Sequence, residues 1–207
     1  SVGIDSSMAG LDIQVDGAAE ITVTHTGSES KGVYLDNGAQ NNLGSGTKVT
    51  VDNISGTSNL TTVGISVETK KNLGTGLTAN ELTVAVNNDK NVSGVTSSGS
   101  SNVMIDLGTK SGISATTTGT SSLVRAVDLS TNNTFKMDEG TITANGVNGQ
   151  IYGIYAGGKA DIQLGDQTKI SANSNSGSAN GIYLTYSGSD VTANELQITG
   201  SGASAYA

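Results

Sequence analysis

The sequence predicts an all-β fold, a parallel β-helix of about seven rungs, each a three-strand coil of roughly thirty residues. A Gly-Ile-like step recurs along the chain, and short runs alternating apolar and polar residues lie between successive steps. The composition holds too few large side chains for any thick core, with 29 Gly, no Pro, Cys or Trp, and 3% aromatic residues among 207. An interior built from Ile, Val, Leu and Ala suits thin, repeated layers.

The steps are Val2-Gly3-Ile4, Lys31-Gly32-Val33, Val63-Gly64-Ile65, Ser93-Gly94-Val95, Arg125-Ala126-Val127, Tyr152-Gly153-Ile154 and Asn180-Gly181-Ile182. They are separated by 29, 32, 30, 32, 27 and 28 residues, and Ser204-Ala205-Tyr206-Ala207 reads as an eighth start. A period in this range is the signature of a solenoid, in which each repeat buries its apolar face against the next.

Each repeat adds two further alternating runs, clearest in the sixth: Gly153-Ile154-Tyr155-Ala156, then Ala160-Asp161-Ile162-Gln163-Leu164, then Lys169-Ile170-Ser171-Ala172-Asn173. Period two marks strands with one buried face, and the Gly, Asn, Ser and Asp between them are turn formers. In the third strand the inward column is expected to read Ile21, Val49, Leu82, Ile113, Ile142, Ile170 and Leu196. The residue before it gives Glu20, Lys48 and Glu81 on three adjacent rungs, with Lys169 and Glu195 on two. Such cross-strand pairs of opposite charge are worth about 0.2–1 kcal/mol each.

A net charge of −8 excludes nucleic acid and anionic membrane surfaces as partners, since both select clustered Lys and Arg. No apolar run approaches a membrane span, so direct insertion of this segment is not expected. Without cysteine and with one histidine, His25, the chain offers neither zinc ligands nor a nucleophile and base pair, and no metal or cofactor is expected. His25 reads as a surface or turn residue.

The run from Tyr152 to Asp166, followed by Lys169-Ile170-Ser171, resembles the passenger domains of bacterial autotransporters of the pertactin-like kind. The likeness covers nearly the whole chain and is one of pattern: Gly-Ile-Tyr starts, Ala-Asp-Ile steps and Thr-x-Ile-x-Ala steps. It implies a right-handed parallel β-helix at the bacterial cell surface, anchored in the outer membrane through a C-terminal barrel. Neither barrel nor signal peptide lies within residues 1–207, which read as one β-helix domain of a longer passenger.

Two features are candidates for binding. Asp36 and Glu68 fall at matching outward positions on adjacent rungs, close enough for a paired-carboxylate site or for a solvated pair neutralised by Lys70 and Lys71. Tyr155, Tyr183 and Tyr206 are expected to form an outward column able to stack internally or on a sugar ring. A Thr-x-Thr array of the ice-binding sort is broken after Thr22 and Thr24. The function expected is that of a non-enzymatic adhesin segment, acting by homotypic self-association in aggregation and biofilm formation, or by attachment to host or matrix glycans and proteins. The alternatives are a carbohydrate-active β-helix enzyme and an inert stalk displaying another domain.

Overall fold

The computed structural model describes residues 1–6, 12–26, 29–36, 40–53, 61–69, 75–99, 102–120, 122–130 and 132–206. They form a parallel β-solenoid of about six turns with about 29 residues per turn, and no helix among the described residues. Three sheets run the length of the rod. The first has eight strands, from Val2–Ser6 to Ser204–Tyr206; the second has six, from Asn41–Leu43 to Asp190–Ala193; the third has seven, from Glu20–His25 to Gln197–Ser201. Six of the seven expected rungs thus carry all three strands. In the first rung the second side is represented, among the described residues, by a single bridge from Gln14 to Asn42.

The inward columns explain why this sequence stacks. In the second sheet Leu77, Ile105, Phe135 and Ile162 lie in register, all fully buried. In the third sheet the columns are Ile21, Val49, Val84, Ile113, Ile142, Ile170, Ile198 and then Val23, Val51, Val86, Ala115, Ala144, Ala172, Gly200. Rungs four to six carry Ala in that second column, where the first three carry Val. The rung that holds the one phenyl ring therefore gives up branched methyls across the interior, which keeps the layer at packing density.

Two expected members of the third-sheet column are displaced by two residues. Leu82 and Leu196 precede the column, and Val84 and Ile198 occupy it. The charge ladder is corrected with them, because Lys48 pairs with Glu20 on one side and Thr83 on the other, and Lys169 pairs with Gln197. Glu81 instead accepts from the Ser45 hydroxyl at 2.7 Å.

The cause lies in the corner between the second and third sheets. Every rung places one residue there in the left-handed region: Gly17, Gly46, Glu81, Lys110, Glu139, Gln167 and Glu195, with φ between 50° and 88°. The left-handed residue turns the chain, and its N–H donates to the preceding residue's counterpart on the next rung. Examples are Glu81 to the Thr109 carbonyl at 2.9 Å and Glu139 to the Asp166 carbonyl at 3.0 Å. In the second to sixth rungs the next residue is buried at the corner whether polar or not, and Thr47 and Ser111 fill it with hydroxyls bonded to backbone. Leu82 fills the same place with an apolar side chain.

Candidate functional site: a groove on the first sheet

The Gly step shapes the outer face of the first sheet. A Cβ at Gly32, Gly64, Gly94 or Gly153 would point at inward side chains of the third sheet, within 2.4 Å of Val49, Val84, Ile113 and Ile170 respectively. The following residue, Val33, Ile65, Val95 or Ile154, is also fully buried. Two consecutive residues facing inward shift the alternation by one, so outward residues on either side of the step are three apart in sequence rather than two. Lys31 then meets Tyr34, Arg125 meets Asp128, and Tyr152 meets Tyr155.

Those meetings build two similar walls. On one side Lys31 Nζ lies 4.4 Å from the centre of the Tyr34 ring and 3.3 Å from Glu68 Oε1. The Tyr34 hydroxyl donates to Glu68 at 3.0 Å and to Asp36 at 3.4 Å, and Ser66 donates to Glu68 at 3.1 Å. On the other side the Arg125 guanidinium sits 3.8 Å from the centre of the Tyr155 ring and donates to Asp128 Oδ2 at 2.7 Å. Each wall is a cation held over a tyrosine and tied to a carboxylate, a rigid arrangement because each cation has both a ring and a carboxylate as partners. Between them lies a groove of about 220 Å³ floored by Ser66, Ser93, Thr96 and Ser98.

Asp36 and Glu68 are paired in register, as expected. Their surroundings differ from a solvated pair: Asp36 is 2% exposed and Glu68 alone lines the groove. Lys31 supplies the neutralising charge, whereas Lys70 and Lys71 lie outside the described residues. Lys31 also reaches Glu29 at 3.6 Å. His25 ends its third-sheet strand with Nδ1 3.0 Å from the Ser1 hydroxyl. Among the described residues no group of three or more acidic or histidine side chains is placed to hold a metal ion.

The tyrosine column needs one correction. Tyr155 and Tyr183 are in register and stacked, 5.9 Å between centres at 14°. Tyr206 is in register with Asn180 and Tyr152, not with Tyr183, and is 64% exposed. The third member of the cluster is Tyr152, 5.2 Å from Tyr155 and 5.3 Å from Tyr183. The likeness of Ser204-Ala205 to Ser178-Ala179 is the sequence signal that sets this register. Rung by rung, Arg125, Tyr155 and Tyr183 form a continuous stack, so both faces of Tyr155 are covered and Tyr183, 43% exposed, ends it. Burial, with the phenols of Tyr183 and Tyr155, raises Tyr152 above its ordinary value of 10, against the pull of Arg125.

Burial raises the Asp128 carboxyl above its ordinary value of 3.8, outweighing the opposing effects of Arg125's charge and hydrogen bond. A carboxyl raised on folding makes the folded state the better proton acceptor, so its contribution to stability is full below pH 3.8 and is lost as pH rises through the folded value. The stability of wild type minus that of Asp128→Asn, followed by thermal unfolding from pH 3 to 7, is expected to fall across that window and then level off. A difference that rises with pH would show the Arg125 pairing to dominate instead.

No family model, curated protein or solved structure matches this chain.

Proposed function

We propose that this solenoid is an adhesive segment of a bacterial cell-surface protein, of the passenger-domain kind its sequence pattern resembles, and that it adheres by pairing with a second copy along the third sheet. The observation that carries this reading is the outer face of that sheet. One outward column reads Thr22, Thr50, Ala85, Ser114, Thr143, Ser171, Thr199, and the next Thr24, Asp52, Asn87, Thr116, Asn145, Asn173, Ser201. Thirteen of these fourteen side chains are uncharged.

Six inter-strand steps of about 4.8 Å give this face a length of roughly 29 Å. Amides are oriented along it by their own neighbours, as in Asn87 to Asp52 at 2.8 Å and Asn173 to Asn145 at 3.0 Å. A hydroxyl and amide donates and accepts alike, so two such faces are self-complementary. Individual hydrogen bonds contribute only about 1 kcal/mol, and affinity comes from their number. Attachment to glycans or proteins of a host or matrix is the second reading, favoured by the groove on the first sheet.

Sedimentation of the purified chain is expected to show concentration-dependent association, and the double variant Thr116→Arg/Thr143→Arg to weaken it at least tenfold by setting like charges face to face. A chain that stays monomeric at every concentration, or a double variant that associates like wild type, would sink the self-pairing reading.

A further inference from the structure

We infer that the groove on the first sheet is a binding site for a neutral, hydroxyl-rich sugar unit. The inference deepens the second reading above by naming the ligand class. It stands on residues of the first sheet alone, so it can fail or hold independently of self-pairing.

Its floor offers unmet hydrogen-bonding capacity. Ser93 is only 4% exposed, yet its side chain lines the groove, and Ser93, Thr96 and Ser98 make no side-chain hydrogen bond among the described residues. Arg125 lines the same groove, and its Nε is buried without a protein acceptor. Buried polar groups are nearly always satisfied, so the buried Arg125 Nε without an acceptor, set beside three hydroxyls that open into the same cavity, points to a ligand able to engage them together. That ligand must both donate and accept: the serine and threonine hydroxyls can do either, Glu68 and Asp128 retain acceptor capacity, and Arg125 can only donate. Adjacent hydroxyls on a pyranose ring meet this requirement.

Charge excludes the acidic alternatives. Glu29, Glu68 and Asp128 outnumber Lys31 and Arg125 around the groove, both cations are already paired with carboxylates, and the whole chain carries −8. A uronate or a sialylated or phosphorylated ligand would meet a net negative field with no free cation to receive it. An extended peptide is disfavoured as well. The strands beneath the groove, Thr62–Thr69 and Val92–Gly99, are hydrogen-bonded to neighbours on both sides and leave no sheet edge for a peptide to join.

The column that contains Thr96 supplies a variant that the fold tolerates. Tyr34, Tyr155 and Tyr183 occupy equivalent positions on other rungs, so Thr96→Tyr fills the groove with a side chain the column already accommodates. The test is binding of the purified chain to immobilised neutral oligosaccharides of glucose, galactose, mannose and N-acetylglucosamine, with polygalacturonate and sialylated oligosaccharides as acidic counterparts, followed by calorimetry on the strongest binder. Saturable binding to at least one neutral class is expected, weakened at least tenfold by Thr96→Tyr and by Arg125→Gln. It should be unchanged in Thr116→Arg/Thr143→Arg, with circular dichroism reporting that each variant is folded. Binding to none of the neutral sugars, binding only to acidic ones, or neutral binding that Thr96→Tyr leaves intact would each overturn the assignment.

Discussion

Phe135→Ala is expected to lower the free energy of unfolding by about 3–5 kcal/mol. Phe135 is the largest fully buried side chain and stands in the second sheet between Ile105 and Ile162, with rungs stacked above and below. Its removal leaves a cavity that neighbouring Ile and Leu side chains cannot fill without breaking register, because each belongs to a column fixed by backbone pairing. A solenoid is stabilised by each rung's contacts with its two neighbours, so a weak rung near the middle also uncouples the halves. Urea unfolding of Phe135→Ala should therefore show a lower midpoint and a broader or divided transition, while Phe135→Leu keeps most of the volume and loses less. An alanine variant within about 1 kcal/mol of wild type would mean that the fifth rung collapses around the missing ring, and that the columns are softer than their register implies.

The periodic parts of this architecture were legible in the sequence for a physical reason: each column repeats one packing problem, and the chain solves it each time with the same residue type. The Gly-Ile steps fall in register in all seven rungs of the first sheet, and the expected inward column of the third sheet falls in place in five of its seven. The two misplacements, at Leu82 and Leu196, have one origin. Alternation is unchanged by a shift of two residues, so only the corner could have fixed the register. Glu81 and Glu195 adopt left-handed conformations that no side chain advertises. The nearest signal is the Asp, Asn, Ser or Thr that precedes the left-handed residue in every rung, as in Asn80-Glu81 and Asp138-Glu139.

The groove was legible only in fragments. Asp36 and Glu68 could be placed opposite each other because they lie in one column. Their clasp by Lys31 and Tyr34, and the stacking of Arg125 on Tyr155, could not be foreseen from strict alternation, because the Gly step interrupts it. Residues three apart become neighbours on one face only when two consecutive residues turn inward, and that depends on a small first residue, glycine in the other steps and Ala126 in the fifth rung. The same local event thus serves packing on the inside and assembles the candidate site on the outside.

Gly64→Ala tests that link and is expected to cost about 1–3 kcal/mol, the usual range for adding a methyl to a filled interior. The new Cβ would stand 2.4 Å from Val84 Cγ1, 2.8 Å from Val86 Cγ2 and 2.5 Å from the Gly94 carbonyl oxygen. The valines could yield by changing rotamer, but the carbonyl belongs to the backbone of the next rung and cannot. The double variant Gly64→Ala/Val84→Ala should therefore recover only part of the loss. Gly112→Ala is the internal contrast: its nearest neighbour is the Thr141 hydroxyl at 3.3 Å, a side-chain contact able to adjust, and its φ lies outside the left-handed region. There the reduced entropy of the unfolded chain should leave stability unchanged or raised by about 0.4–1 kcal/mol. Ala126 shows what accommodation requires, since it occupies the step in the fifth rung, fully buried, flanked by the paired positions Arg125 with Tyr152 and Val127 with Ile154. One rung of the stack has found room for a Cβ, whereas at Gly3, Gly32, Gly64, Gly94 and Gly153 the carbonyl of the next rung lies in the way. Equal urea midpoints for Gly64→Ala and Gly112→Ala would refute that account and, with it, the explanation of why Lys31 meets Tyr34 and Tyr152 meets Tyr155 across a glycine on the outer face.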